Sequence, residues 1–214
     1  NDLDGLLCNF WRAVKADPAA VAEAADWPVS ECDLTARHLW LVERRASITE
    51  RLCADPEWFD AKAAGWWVWG ASIWVGSGWG AKTARQIPSL PVGRTGGTGL
   101  SAWTAPPAAE WMASLSARLR GVRVVCGEWD RMNGIAERGA SDGWTTGVFL
   151  DPPYNAGAMD YSAGGMGRGI ADEVRAWAVR AGERSDMRIA ICGYDEHEEL
   201  RAAGWTPHEW KARG

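Results

Sequence analysis

Apolar residues recur at helical spacing through much of the first half of the chain. Leu7, Phe10, Trp11 and Val14 form one stripe behind Asp4, an N-cap residue type, and predict a first helix. Asp17-Pro18 opens a second, with proline at the first helical position. Leu34, His38, Leu41 and Val42 predict a longer amphipathic helix from about Asp33 into the 50s, and Asp55-Pro56 is read as the start of a fourth. From Gly76 to about Pro107 glycine and proline interrupt any period, so this stretch is expected to be mostly loop. Helical spacing returns over Trp111–Leu119, with Gly121 as its stop.

Beyond Gly121 the texture changes. Val122–Cys126, Gly147–Leu150 and Arg188–Cys192 read as short strands, alternating with helices over Asp130–Arg138, Ile170–Ala181 and Glu196–Ala203. Such alternation predicts an α/β fold with a parallel sheet covered on both faces. Ligands of these sheets sit beyond the carboxyl ends of the strands, and Asp2, Glu128, Asp151 and Tyr194 all follow strand-like runs. The four are expected to line one rim.

Asp151-Pro152-Pro153-Tyr154 follows the apolar run Val148-Phe149-Leu150 directly. Each proline fixes its own φ and holds the residue before it extended, so the Asp151 carboxylate and the Pro152 carbonyl point in set directions. Both are acceptors suited to the two hydrogens of an amino group, and Tyr154 is suited to stacking on a planar base. The bland alternative is a strand end and a Pro-Pro turn, with Asp151 as a cap.

The 214 residues are enough for one medium domain with an insertion. Cys8, Cys32, Cys53, Cys126 and Cys192 are scattered, odd in number and without CxxC spacing, which points to reduced thiols in a cytoplasmic protein. No apolar run reaches membrane-spanning length. The chain opens on Asn1 at what looks like a strand end, so the natural protein is expected to extend upstream. His38, His197 and His208 lack ligand spacing and are read as packing or surface residues, leaving no metal site.

The net charge of −5 does not advertise a nucleic-acid partner, but its distribution is uneven. Residues 61–120 hold Lys62, Lys82, Arg85, Arg94, Arg118 and Arg120 against Glu110 alone. Trp66, Trp67, Trp69, Trp74 and Trp79 crowd the same region, and aromatics interleaved with bases can stack on nucleobases and contact phosphate. Trp67 and Trp74 also share a helical face, which is equally what a core requires. Trp79, Lys82, Arg85 and Arg94 are the candidate DNA contacts.

Taken together these residues resemble the bacterial and phage DNA adenine-N6 methyltransferases related to the DNA adenine methylase. The likeness runs over essentially the whole chain and rests on three segments. Asn1-Asp2-Leu3-Asp4-Gly5-Leu6-Leu7 looks like the motif in which an acid grips the ribose hydroxyls of S-adenosyl-L-methionine, a role that falls on Asp2. Val124-Val125-Cys126-Gly127-Glu128-Trp129 is similar to the motif whose acid and aromatic ring bracket the cofactor's adenine, here Glu128 and Trp129, where family members more often have aspartate and phenylalanine. Asp151-Pro152-Pro153-Tyr154 matches the catalytic motif without substitution, and its aspartate also borders the cofactor.

The resemblance implies a partial Rossmann-like methyltransferase sheet with a mostly helical and loop target-recognition insertion. The sequence from Asp2 to Asp151 far exceeds two βα units of roughly 30 residues each. The boundaries are therefore set at 1–54 for the first part of the catalytic domain, 55–118 for the insertion and 119–214 for the remainder. The family's Phe-x-Gly-x-Gly cofactor turn does not occur, and the chain stops before the final strand pair; both imply a fragment that binds S-adenosyl-L-methionine weakly alone. The glycine clusters Gly93–Gly99 and Gly164–Gly169 are read as mobile loops near substrate. The implied reaction acts on double-stranded DNA with its target adenine flipped out of the stack. RNA or cytosine-N4 amino methylation, and a non-catalytic nucleic-acid binder, are the alternatives.

Overall fold

The computed structural model describes residues 1–74, 78–80, 107–141, 143–152, 167–193 and 198–209. These residues are mostly helical, with one two-stranded parallel sheet, and they divide into compact units Asn1–Trp129 and Asp130–Gly214. The domain limits drawn on the sequence fall elsewhere, at 54/55 and 118/119.

The first unit is built from α1 (Gly5–Ala16), α2 (Pro18–Ala25), α3 (Glu31–Ala54), α4 (Ala61–Ile73) and α5 (Ala108–Arg118), the last ending in a 3₁₀ turn at Leu119–Gly121. Local chemistry sets the starts of the first four. The side chains of Asp4, Asp17, Ser30 and Asp60 accept from Leu6, Ala20, Asp33 and Ala63 N–H respectively, satisfying donors that a helix leaves orphaned. Helix α3 thus begins at Glu31, two residues before Asp33, on a serine cap.

The fourth helix does not start at Asp55-Pro56. Asp55 instead ends α3, its N–H donating to the Arg51 carbonyl. Arg12 of α1 then fixes the segment: Nη1 donates to the Asp55 and Trp58 carbonyls at 2.9 and 3.0 Å, and Nη2 to the Leu52 carbonyl at 3.0 Å. Those carbonyls are committed to a side chain from α1, so α4 waits until Asp60. Asn9, fully buried, then ties that cap to α1: its Nδ2 donates to Asp60 O at 2.8 Å and its Oδ1 accepts from Asp60 N at 2.9 Å.

Helices α1, α2, α4 and α5 enclose a core of Phe10, Val14, Val21, Trp69, Ile73 and Met112, while α3 adds a second cluster around Leu41, Ile48 and Leu52. Gly5 allows α1 and α3 to meet closely, because a Cβ there would overlap Thr49. Helix α4, inside the expected insertion, therefore belongs to the same body as α1 and α2.

A 3₁₀ turn at Trp129–Met132 starts on the last residue of the first unit, and the second unit continues with α6 (Asn133–Ser141), β1 (Thr146–Leu150), α7 (Gly167–Gly182), β2 (Met187–Ile191) and α8 (Glu198–Ala202). Strand β1 pairs in parallel with β2 from Thr146↔Met187 to Leu150↔Ile191, so β1, α7 and β2 form a βαβ unit. Val174, Trp177 and Ala178 of α7 are buried. Phe149 on β1 is 72% exposed, so among the described residues of this unit nothing buries its ring. Val122–Cys126 is not a strand. Val122 is extended, but only Cys126 is bridged, and Val122 and Val124 are exposed to solvent.

Candidate functional site

Asp2 and Cys126 form an isolated parallel bridge. Asp2 N donates to Val125 O at 3.0 Å, Gly127 N donates to Asp2 O at 2.9 Å, and Asn1 Nδ2 donates to Gly127 O at 2.9 Å. Gly127, at φ 152°, takes a conformation that L side chains rarely adopt and turns the chain immediately after the bridge. Asp2, Glu128 and Trp129 are thereby gathered at one corner of the first unit. Glu128 is exposed, and Asp2 and Trp129 are half-buried.

The corner is anchored below. Asp2 Oδ1 accepts from Asp4 N at 2.7 Å. Asp4 caps α1 with Oδ1 and meets Arg45 Nη2 of α3 through Oδ2 at 3.2 Å. Burial raises the Asp4 carboxyl above its ordinary value, and the Arg45 charge opposes that rise. Cys8 lies beneath, its Sγ directed at the Asp2 carbonyl at 3.8 Å; burial, with Cys126 beside it, pushes this thiol up to about 12. Cys126 is likewise raised by burial, so both remain neutral thiols. In the sequence Cys8 is one of five scattered cysteines, and no spacing signal links it to a partner as distant as Cys126.

In the second unit the strand register puts the carboxyl ends of β1 and β2 side by side, and Cys192 N donates to Leu150 O at 2.8 Å just past the last pair. Asp151 follows β1 with its side chain exposed, whereas Pro152 is buried. A buried proline next to an exposed acid is what the motif requires locally. Burial raises the Cys192 thiol, and the neighbouring Asp151 charge adds to that rise. Pro153, Tyr154 and Tyr194 lie outside the described residues, as do Lys82, Arg85, Arg94, the cluster Gly93–Gly99 and residues 164–166 of the second cluster, whose remaining residues Gly167–Gly169 open α7 and are not the loop expected.

Trp79 has a different task from the one expected. Its indole N–H donates to the Trp67 carbonyl at 2.9 Å, and its ring packs against Gly70, where a Cβ would overlap it. It also lies 5.5 Å from the His38 ring and 5.3 Å from that of Trp74. A ring held by these contacts closes the helical body, which corrects its assignment as a base-stacking surface. Trp69 is fully buried and donates to the Trp27 carbonyl at 2.9 Å. His38 is buried too, its Nδ1 accepting from Gly80 N at 3.1 Å, in keeping with a packing histidine.

Among the described residues no helix is long and apolar enough to cross a membrane. No protein-family model, curated protein or solved structure matches the chain.

Proposed function

We propose that this protein is an S-adenosyl-L-methionine-dependent DNA methyltransferase acting on the N6 amino group of adenine. The observation that carries the reading is Asp151, an exposed acid at the carboxyl end of a parallel strand, followed by a buried proline. The β1–α7–β2 unit supports a Rossmann-like sheet, in which that edge is where ligands bind.

Asp151 and the Pro152 carbonyl accept hydrogen bonds from the two amino hydrogens of an extruded adenine. This localises the nitrogen lone pair, and the carboxylate stabilises the positive charge that grows on nitrogen. Tyr154, by resemblance, stacks on the ring. The cofactor, when bound, supplies an electrophilic methyl group on a sulfonium. The corner at Asp2 suits its nucleoside part: the Asp2 carboxylate accepts from ribose hydroxyls, and Glu128 with the half-buried Trp129 ring brackets the adenine. Lys82, Arg85 and Arg94 supply phosphate contacts to double-stranded DNA. The cytoplasm is the compartment this reading implies.

The test is methylation of plasmid DNA by the full-length protein, read by nucleoside mass spectrometry. N6-methyladenine is expected from the parent and none from Asp151→Ala, with unchanged circular dichroism because the side chain is exposed. Methylation that survives Asp151→Ala refutes the role of the carboxylate. N4-methylcytosine as the product refutes the choice of base.

A further inference from the structure

We infer that the helical unit carries a second binding site, for a flat aromatic ring bearing an anionic group, in the cavity between α2, α3 and the start of α4. The cavity measures about 720 Å³, within the size range of small-molecule sites. Trp27, Trp40 and Trp66 supply aromatic wall, and Arg37 and Lys62 supply two cations. Every lining residue falls between Ala20 and Trp66, so the site does not depend on Asp151 or on methyl transfer.

Arg37 is the telling residue. It is only 6% exposed, and its guanidinium carbon lies 4.2 Å from the centre of the Trp69 ring, 5.0 Å from Trp66 and 5.2 Å from Trp27. Its Nη1 is buried with no hydrogen-bond partner, and no ion pair among the described residues includes it. Cation–π contact offsets part of the desolvation of a guanidinium but leaves its N–H groups unsatisfied. Glu23 and Asp33 also line the cavity. Asp33 Oδ2 accepts from the Trp27 indole N–H at 3.0 Å, and Glu23 is exposed. The Lys62 ammonium stands 4.5 Å from the Trp66 ring and 5.4 Å from Trp40, adding a second positive charge to the same wall.

A bare anion would leave most of this volume empty, and a neutral ring would leave Arg37 Nη1 without an acceptor, since the Asp33 charge acts on the guanidinium but makes no hydrogen bond to that atom. A ring with one anionic group meets both conditions, stacking on indole while its charge pairs with Arg37. A mononucleotide has this chemistry, either free or as one unit of a single strand.

Titration calorimetry on the full chain tests it with four probes: 5′-dAMP, deoxyadenosine, inorganic phosphate and a short single-stranded oligonucleotide. 5′-dAMP is expected to bind at least about tenfold tighter than deoxyadenosine or phosphate, the worth of one charge-assisted contact. An oligonucleotide that binds tighter still assigns the site to a strand, and one that binds no tighter assigns it to the free nucleotide. Arg37→Met is expected to lose that tenfold. Ala36→Leu, on an exposed position of α3 that lines the cavity, fills the space while leaving Arg37 intact and is expected to lose it as well. No 5′-dAMP binding at millimolar concentration, or binding unchanged in Ala36→Leu, overturns the site.

Discussion

Asn9→Ala removes the link between α1 and the cap of α4, and its cost follows from the contacts. Asn9 is fully buried and exchanges two hydrogen bonds with the Asp60 backbone, at 2.8 and 2.9 Å. Each bond is worth about 1 kcal/mol net, and leaving the Asp60 N–H without a partner adds to that, to a total of about 2–4 kcal/mol, while the Asp60 carbonyl keeps the Ala64 N–H at 3.0 Å. Asp60 is half-buried, so water reaches part of the exposed backbone and the expected loss lies in the lower half of that range. Urea unfolding followed by tryptophan fluorescence measures it, because 12 of the 16 tryptophans precede residue 130 and report chiefly on the first unit. The midpoint should fall with the slope unchanged. Asp60→Ala is the companion variant: it removes only the cap to Ala63 N, at a cost of about 1 kcal/mol, and keeps both backbone bonds to Asn9. A loss below about 1 kcal/mol for Asn9→Ala would mean that the Asp60 groups find other partners, and would refute the account of why α4 starts where it does.

Gly70→Ala should reverse the usual sign of a glycine-to-alanine change within a helix. The ordinary gain of roughly 1 kcal/mol is outweighed by overlap with the Trp79 ring, typically a cost of about 1–3 kcal/mol, and a raised melting temperature would refute the packing role of Trp79. Asp4→Asn keeps a good cap but removes a carboxyl whose titration is raised by burial. Because the folded protein holds that proton more tightly than the unfolded chain, ionisation costs stability as pH climbs from the ordinary value of 3.8 through the folded value. The wild type should therefore lose stability relative to Asp4→Asn over that window and run parallel above it. Paired urea titrations across pH that diverge in the opposite sense would refute the dominance of burial over the Arg45 charge.

Short-range features were legible in the sequence by themselves. Asp4 and Asp17-Pro18 mark the starts of α1 and α2, since an N-cap acts on backbone two or three residues away. The apolar runs before Asp151 and Cys192 mark β1 and β2, and their alternation with α7 marks a parallel pair. Only the tertiary structure decided what depends on distant partners. Asp55-Pro56 carries a start signal, yet Arg12 from α1 claims the carbonyls around it. Val122–Cys126 has the composition of a strand but finds a single bridge, at Asp2. Trp79 reads equally as a base-stacking ring or as core until Gly70 and Trp67 are seen to hold it. Arg37 carried no signal at all, because a basic residue on an amphipathic helix is ordinarily solvated, and only three tryptophans drawn from α4 and the α2–α3 turn enclose it. Caps and periodicity are written within one turn of the chain. Which buried group satisfies which depends on long-range closure, and composition does not encode that partner.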